Sequence, residues 1–396
     1  MIDIASFSLT KVAGFLSILL AASLYSCNNS PTENEASYPV FEIEYNNNLP
    51  LDSFAAAIRQ HYQLPGLAVA TIDGDDITEL AVVGKNKARD GILLDRKSKF
   101  QIASCTKSFT ALLTATFVEE GIIGWETKVS DVFGNMKIHK DFRNITVRQL
   151  LTHTAGVQQF WTDEEVFNIR NVIPELKGNI PEKRKIFTQW NLCKQAPFAA
   201  GEHHYSNGGY VIVAALLEKL TGQPYEILME KRVFRPLNLS SAEFGYPFLY
   251  DSSQPYRHMN RYENGTGITM DTQTRIPDPL FNPSGFISLT IEDFARYVRF
   301  HIRAIRGEET EINSDVVRAL FKPEIKISDN NEIGMGWQII YINGKKTYGH
   351  TGSDQTIRSA MSIDPESGKA VVFATNIGDP RSELAMINVI FELLDL

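Results

Sequence analysis

The sequence is short of cysteine, short of basic charge, and lacks any apolar run long enough to cross a membrane as a mature helix. Only 3 cysteines occur in 396 residues, which excludes a disulfide framework. Against 47 Asp and Glu stand 39 Lys and Arg, giving a formal net charge of -8 with no basic run to relieve it. A nucleic-acid backbone or an anionic lipid surface is therefore a poor electrostatic partner. No internal repeat or low-complexity tract stands out. The paired His203 and His204 have neither an H-E-x-x-H pattern nor a carboxylate at ligand spacing, so no metal site is expected. What remains is a chain 43% hydrophobic and 22% charged, the profile of a globular protein able to bury a large core.

The first residues stand apart from that body. Lys11 precedes the apolar run Val12 to Leu24, too short to span a bilayer but suited to the hydrophobic region of a secretory signal. Residues 1–26 are expected to be removed. The run ends in Leu24-Tyr25-Ser26-Cys27, which resembles a bacterial lipobox, where the cysteine is diacylated and becomes the new N-terminus. Cys27 is thus the expected lipidation site and the only membrane contact; plain secretion with a chance cysteine is the other reading. The expected location is the cell envelope, in the periplasm or at the outer membrane. Residues 27–45 open as a polar stretch without periodicity, which suits a flexible tether. The other two cysteines, Cys105 and Cys193, read as small hydrophobes and not as a disulfide.

Further on, Leu51 to Ile58 spaces apolar residues as a helix does, and Leu67 to Ile72 and Thr78 to Gly84 read as strands joined at Asp73-Gly74. Ser104 opens a helix with Phe109, Leu112, Leu113 and Phe117 on its apolar face, stopping at Gly121. From 125 to 332, helix signals, loops and prolines dominate. Strands return at Trp337 to Ile342, Lys346 to His350, Ile357 to Ile363 and Ala370 to Thr375, with Asn343-Gly344 as a hairpin turn. A last helix carries Leu384, Ile387, Phe391 and Leu394 on one face. This order implies an α+β fold, with one antiparallel sheet built from both chain ends (about 46–124 and 333–396), flanking helices, and an inserted all-helical lobe (about 125–332).

Within "QIASCTKSFT", Ser104 lies one helical turn before Lys107, so the lysine can reach back to the hydroxyl. A serine needs such a base to act as a nucleophile, and a lysine serves only if burial strips its proton. A helix cap followed by a surface lysine is the plainer reading. Downstream, Tyr205-Ser206-Asn207 offers a second proton-transfer group and an amide, although a half-buried tyrosine before a turn is the ordinary alternative. His153, in "THTAG", reads as a structural histidine that bonds loop backbone.

Ser104-Cys105-Thr106-Lys107, Tyr205-Ser206-Asn207 and His350-Thr351-Gly352 resemble, in order, the three active-site motifs of the serine β-lactamase and penicillin-binding protein superfamily. The tyrosine in the second motif is similar to the class C branch, with its D-alanyl-D-alanine carboxypeptidases and esterases. "ITVRQLLTHTAGV", "NPSGFISLTIEDFARY" and "GQPYEILMEKRVFRPLNL" also resemble family signatures, and the likeness spans roughly Leu51 to Leu396. It implies a β-lactamase/transpeptidase-like fold over 46–396 and a serine hydrolase that works through an acyl-enzyme. Ser104 would be the nucleophile, and Lys107 and Tyr205 the proton shuttle. Asn207, His350, Thr351, Gly352 and Ser353 would bind substrate, with the Ser104 and Ser353 N–H groups holding the oxyanion. No cofactor is implied, and no obligate protein partner; the partner is a peptide or small-molecule substrate.

One position departs from the pattern. His350 stands where β-lactamases place a lysine whose charge attracts the substrate carboxylate, and a neutral imidazole attracts it less. The expected order of substrates is therefore D-amino-acid peptides, then small esters, with weak β-lactam hydrolysis last. The absence of a G-x-S-x-G elbow argues against an α/β-hydrolase. A non-catalytic envelope protein that keeps the fold to bind is the rival, and it has no need of an activated serine.

Overall fold

Strand-forming residues crowd both ends of the chain, and the two ends meet in one antiparallel sheet of eight strands. The computed structural model describes residues 43–45, 49–259, 268–269 and 276–396; the expected signal, the expected lipidation site Cys27 and most of the expected tether lie outside the described residues. At the front, α1 (Leu51–His61) leads into the hairpin β1 (Gly66–Asp73) and β2 (Asp76–Gly84). Then come β3 (Lys99–Gln101) and α2 (Thr106–Glu119). The middle holds α3 (Ile180–Leu192), α4 (Asn207–Thr221), α5 (Tyr225–Met229), β4 (Glu243–Phe244), β5 (Ile287–Thr290) and α6 (Ile291–Ile305). A meander follows: β6 (Ile325–Ser328), β7 (Asn331–Ile333), β8 (Gln338–Ile342), β9 (Lys345–Ser353), β10 (Arg358–Ile363) and β11 (Lys369–Thr375). The last helix is α7 (Pro380–Leu394).

The sheet order β2-β1-β11-β10-β9-β8-β7-β6 joins the meander to the N-terminal hairpin through β1 and β11, with Leu67 opposite Thr375 and Asp73 opposite Lys369. The Asn343-Gly344 turn between β8 and β9 has φ of 50° and 81°, the left-handed pair that a two-residue hairpin favours. One face of the sheet is covered by α1 and α7, where Phe54, Ile58 and Val389 pack on Leu67, Val69 and Phe373. The other face is covered by α6 and α2, with Phe294 and Phe109 in the core that includes Ala68, Ala70 and Val372. Among the described residues no helix is long and apolar enough to cross a membrane.

Two boundaries differ from the expectation. The inserted region is neither all helical nor closed at 332. β6 and β7, in the interval 325–333, are strands of the main sheet, and β4 and β5 form a small sheet with β3. Moreover α6 packs on β1, β2 and β11, because Phe294, Val298 and Ile302 make a stripe that only the sheet can bury. The sheet-bearing part therefore reclaims much of the segment beyond 287. The second difference is that Ser104 lies in the 3-10 turn Ala103–Cys105, and the α-helix proper starts at Thr106.

Candidate active site

Ser104 is carried on a strained turn between two rigid elements. Ala103, just before it, has φ 40°, a left-handed conformation that costs a non-glycine residue about 1–3 kcal/mol and persists only where the surroundings enforce it. Here Ile102 N–H donates to the Ile287 carbonyl at 2.9 Å, and Ser359 Oγ donates to the Ile102 carbonyl at 2.7 Å. β5 on one side and β10 on the other thus fix the turn that presents the hydroxyl.

Lys107, on the first turn of α2, is fully buried. Its Nζ lies 3.2 Å from Ser104 Oγ, 2.7 Å from Asn207 Oδ1 and 2.7 Å from the Ser284 carbonyl oxygen. Among the described residues no carboxylate pairs with it, and burial holds the amine well below its ordinary value. The neutral amine has two N–H bonds and one lone pair. Asn207 Oδ1 and the Ser284 carbonyl can only accept, so both hydrogens go to them and the lone pair is left for the Ser104 hydroxyl. The Asn207 amide is held in that orientation by its Nδ2, which donates to the Phe160 carbonyl at 2.8 Å.

The second motif is set by α4 and the loop beneath it. Ser206 caps α4, accepting from Gly209 N–H at 3.1 Å and donating to the Gln158 carbonyl at 2.6 Å. Tyr205 projects beside the amine, with Nζ 4.7 Å from its ring centroid. His153, buried and with φ 61°, accepts the Ser206 N–H on Nδ1 at 3.0 Å, while its carbonyl accepts the His204 N–H at 2.9 Å. Its ring packs 4.3 Å from that of Tyr205, and burial, then Lys107, holds its pKa well below the ordinary imidazole value. The proton is therefore on Nε2, and the residue braces Tyr205 from both sides of the chain.

The third motif closes the site from the sheet. A Cβ on Gly352 would lie 2.3 Å from the Ile102 carbonyl and 2.9 Å from Ser104 N, so β9 lies flush against the Ser104 turn and only glycine fits. That approach brings the backbone at Gly352 and Ser353 beside the Ser104 N–H. Burial pushes the His350 imidazole down to about 4, with Lys107 as a lesser cause; its Nδ1 lies 2.6 Å from the Thr351 carbonyl. It is neutral at ordinary pH. Cys105 is equally removed from chemistry, because burial pushes its thiol up to about 12; Cys193 is likewise a free thiol.

Ser104, Tyr205, Asn207, His350, Thr351 and Ser353 line one cavity of about 330 Å³. The register of β8 on β9 ends at Gln338 opposite Gly349, which among the described residues leaves 350–353 without a strand neighbour on that edge. An extended substrate can lie there beside the nucleophile. The Ser284 carbonyl was not legible from residue types because it is backbone, whereas His153 bonds loop backbone as its sequence context implied and in addition packs on Tyr205. Ser284 lies in the flanking stretch "NPSGFISLTIEDFARY", and that stretch was the available signal.

A family model described as Beta-lactamase matches residues 51–394. The chain belongs to the beta-lactamase family. That places it in the serine β-lactamase and penicillin-binding protein superfamily of serine hydrolases, with the α+β fold described above. This family member is similar to penicillin-binding protein 4 of Amycolatopsis lactamdurans, 24% identical over 344 residues that cover 81% of this chain and 83% of the other. It is also similar to the unguisins hydrolase ungD' of Aspergillus campestris, 24% identical over 380 residues, 87% of this chain and 65% of that one. Among solved structures, the octameric penicillin-binding protein homologue from Pyrococcus abyssi superposes with a TM-score of 0.69 at 24% identity, covering 87% of this chain and 77% of that one. A D-stereospecific amidohydrolase from Streptomyces sp. superposes at 0.64 with 20% identity, covering 84% and 97%.

Proposed function

We propose that the protein is a class C-like serine hydrolase that cleaves amide or ester bonds through an acyl-enzyme, acting in the cell envelope on D-amino-acid peptides or small esters, with β-lactams turned over weakly. The observation that carries this reading is the neutral Lys107 amine, whose one free lone pair meets the Ser104 hydroxyl. Ser104 Oγ attacks the substrate carbonyl as its proton passes to Lys107 Nζ, and the N–H groups of Ser104 and Ser353 receive the oxyanion. Lys107 and Tyr205 then deliver that proton to the departing nitrogen or oxygen, which leaves as the C–N or C–O bond breaks. Water, deprotonated by the same pair, attacks the acyl-enzyme and releases the acid with Ser104 restored. Likeness to a protein named penicillin-binding protein 4 supports a site that admits penicillin.

The test is labelling by a fluorophosphonate and by a fluorescent penicillin, each compared with Ser104→Ala, followed by turnover of a D-Ala-D-Ala peptide, a p-nitrophenyl ester and nitrocefin. Labelling that needs Ser104, with peptide or ester turned over faster than nitrocefin, is the expected result. An unlabelled wild type that cleaves none of the three would leave a binding protein. Secretion and anchoring through Cys27 belong to the same reading, and incorporation of labelled palmitate that is lost in Cys27→Ala tests them.

A further inference from the structure

The chain carries a net charge of -8, yet its basic residues are not spread evenly. Residues 85–97 hold Lys85, Lys87, Arg89, Arg96 and Lys97 against Asp90 and Asp95, interleaved with other residue types so that no basic run shows. Among them stand Ile92 and Leu93, exposed at 55% and 76%, and Leu93 is the most exposed large apolar side chain among the described residues. The core does not use this pair. Leu94 supplies the inward side chain, packing in the core that includes Ala68 and Phe100.

The segment is nevertheless tied down. Buried Asn86 closes it from both sides: Ile92 N–H donates to Asn86 Oδ1 at 2.9 Å, and Asn86 N–H donates to the Ile92 carbonyl at 3.0 Å. Lys85 and Leu93 form an antiparallel bridge, and residues opposite in a bridge project to the same face, so exposed Lys85 stands beside exposed Leu93. Asn86 Nδ2 donates to the Ser252 carbonyl at 2.9 Å, which draws in the turn bearing Leu249 and Tyr250, themselves exposed.

The cations around the apolar pair are left to face outward. Lys85, Arg96 and Lys97 are exposed and form no ion pair among the described residues. Asp95 is spent locally, accepting from Lys97 N–H at 2.8 Å and from Ser98 Oγ. Charge is felt over about 8–10 Å in physiological salt, so an approaching surface meets this cluster and not the net charge of the whole protein. Exposed apolar side chains rimmed by cations fit a surface that is anionic on top and apolar beneath, which is an anionic lipid layer.

We propose that Ile92 and Leu93 insert into an anionic lipid surface, with the five surrounding cations on its headgroups, as a membrane contact separate from Cys27. One row of paired residues crosses the sheet from Val83 through Leu67, Thr375 and Arg358 to Ser353, so the contact lies at the end of the sheet that bears the cavity. Asn376 Nδ2, donating to the Asn86 carbonyl at 3.1 Å, fastens the segment to that end. Docking there holds the cavity at the lipid surface.

The test uses Cys27→Ala protein, which carries no acyl chain, and co-sedimentation with vesicles of phosphatidylcholine alone or mixed equally with phosphatidylglycerol. Binding to the anionic vesicles is expected to be at least about tenfold tighter and to weaken as salt rises. Ile92→Ser combined with Leu93→Ser should lower it about tenfold, and Lys85→Gln or Lys97→Gln about fivefold each. These side chains are exposed, so the fold is kept and hydrolysis of a soluble ester should not change. Ser104→Ala should bind vesicles as its parent does, which separates this contact from the acyl-transfer reading. Equal binding to both vesicles, no binding, or binding that survives the paired serine substitution overturns the proposal. Self-association that the same substitution abolishes, without vesicle binding, would assign the face to a second copy of the chain instead.

Discussion

Among the described residues, the lysine and arginine side chains with no exposure are Lys107 and Arg184, and they have opposite fates. Lys107 meets a hydroxyl, an amide oxygen and a carbonyl, and no carboxylate, so burial wins and the proton is lost. Arg184, on α3, meets Glu218 at 2.6 Å and Glu226, with the Leu280 and Pro279 carbonyls at 3.1 Å completing its shell. Burial pulls its pKa down, but the two carboxylates outweigh it and the net direction is up. The carboxylates themselves divide: burial leaves Glu218 raised, whereas Arg184 and Asn282 bring Glu226 down. Equal burial therefore makes one cation a base and the other a clamp, and the partners decide which. The clamp serves the base, because Glu226 accepts from Asn282 Nδ2 at 2.8 Å and Thr110 Oγ1 holds the Pro283 carbonyl at 2.6 Å. Together they fix the turn whose Ser284 carbonyl orients Lys107.

The strongest way to break the contrast is Lys107→Met. Loss of the general base should slow acylation by about 10³-fold, read as the rate of fluorophosphonate labelling, with the fold retained by circular dichroism. Stability adds a second reading. Unfolded Lys107 binds a proton below about 10.5 while the folded amine does not until well below that, so native wild type loses stability as pH falls through this window. The stability of Lys107→Met relative to wild type should therefore fall as pH rises toward 10.5. A wild-type labelling rate, or a difference that does not change with pH, would show that the lysine is charged in place.

The matching change in the clamp is Glu226→Gln, which leaves a buried guanidinium short of one carboxylate. Breaking a buried pair this way should cost about 3–5 kcal/mol in denaturant unfolding. The effect on catalysis should be smaller and should follow the displaced Ser284 carbonyl. If activity vanished while stability held, Arg184 would be part of the chemistry and the contrast would fail. Third in size is Gly352→Ala. Its methyl would collide with the Ile102 carbonyl and Ser104 N, pushing β9 off the nucleophile turn. Labelling should slow by about 10²-fold, as when an oxyanion donor is lost, and the midpoint of unfolding should drop as well.

The base was legible in the sequence and the clamp was not, for a physical reason. Ser104 and Lys107 are three residues apart on one helix face, and a local spacing carries its own geometry. Arg184 is separated from its two carboxylates by 34 and 42 residues, and only tertiary packing brings them together. The sheet was legible at both ends because alternation and the Asn343-Gly344 turn are local signals. The assignment of α6 to the sheet rather than to the lobe was not, since its apolar stripe says that it packs without saying on what.

The finest test of the contrast concerns His350, another buried base, which has no carboxylate among its described partners. Its pKa near 4 means that the folded ring stays neutral down to about that pH, whereas the unfolded ring titrates near 6.5. As pH falls from 6.5 toward 4 the unfolded state takes up the proton first, so this residue makes native stability decline across that interval. Activity should behave differently. Because the ring is neutral on both sides of pH 6.5, turnover of a neutral ester should show no limb near that value in wild type, and His350→Asn should leave the profile between pH 5 and 8 unchanged in shape. A limb near 6.5 that disappears in His350→Asn would mean that the ring is charged during catalysis. The third motif would then carry a charge able to attract a substrate carboxylate.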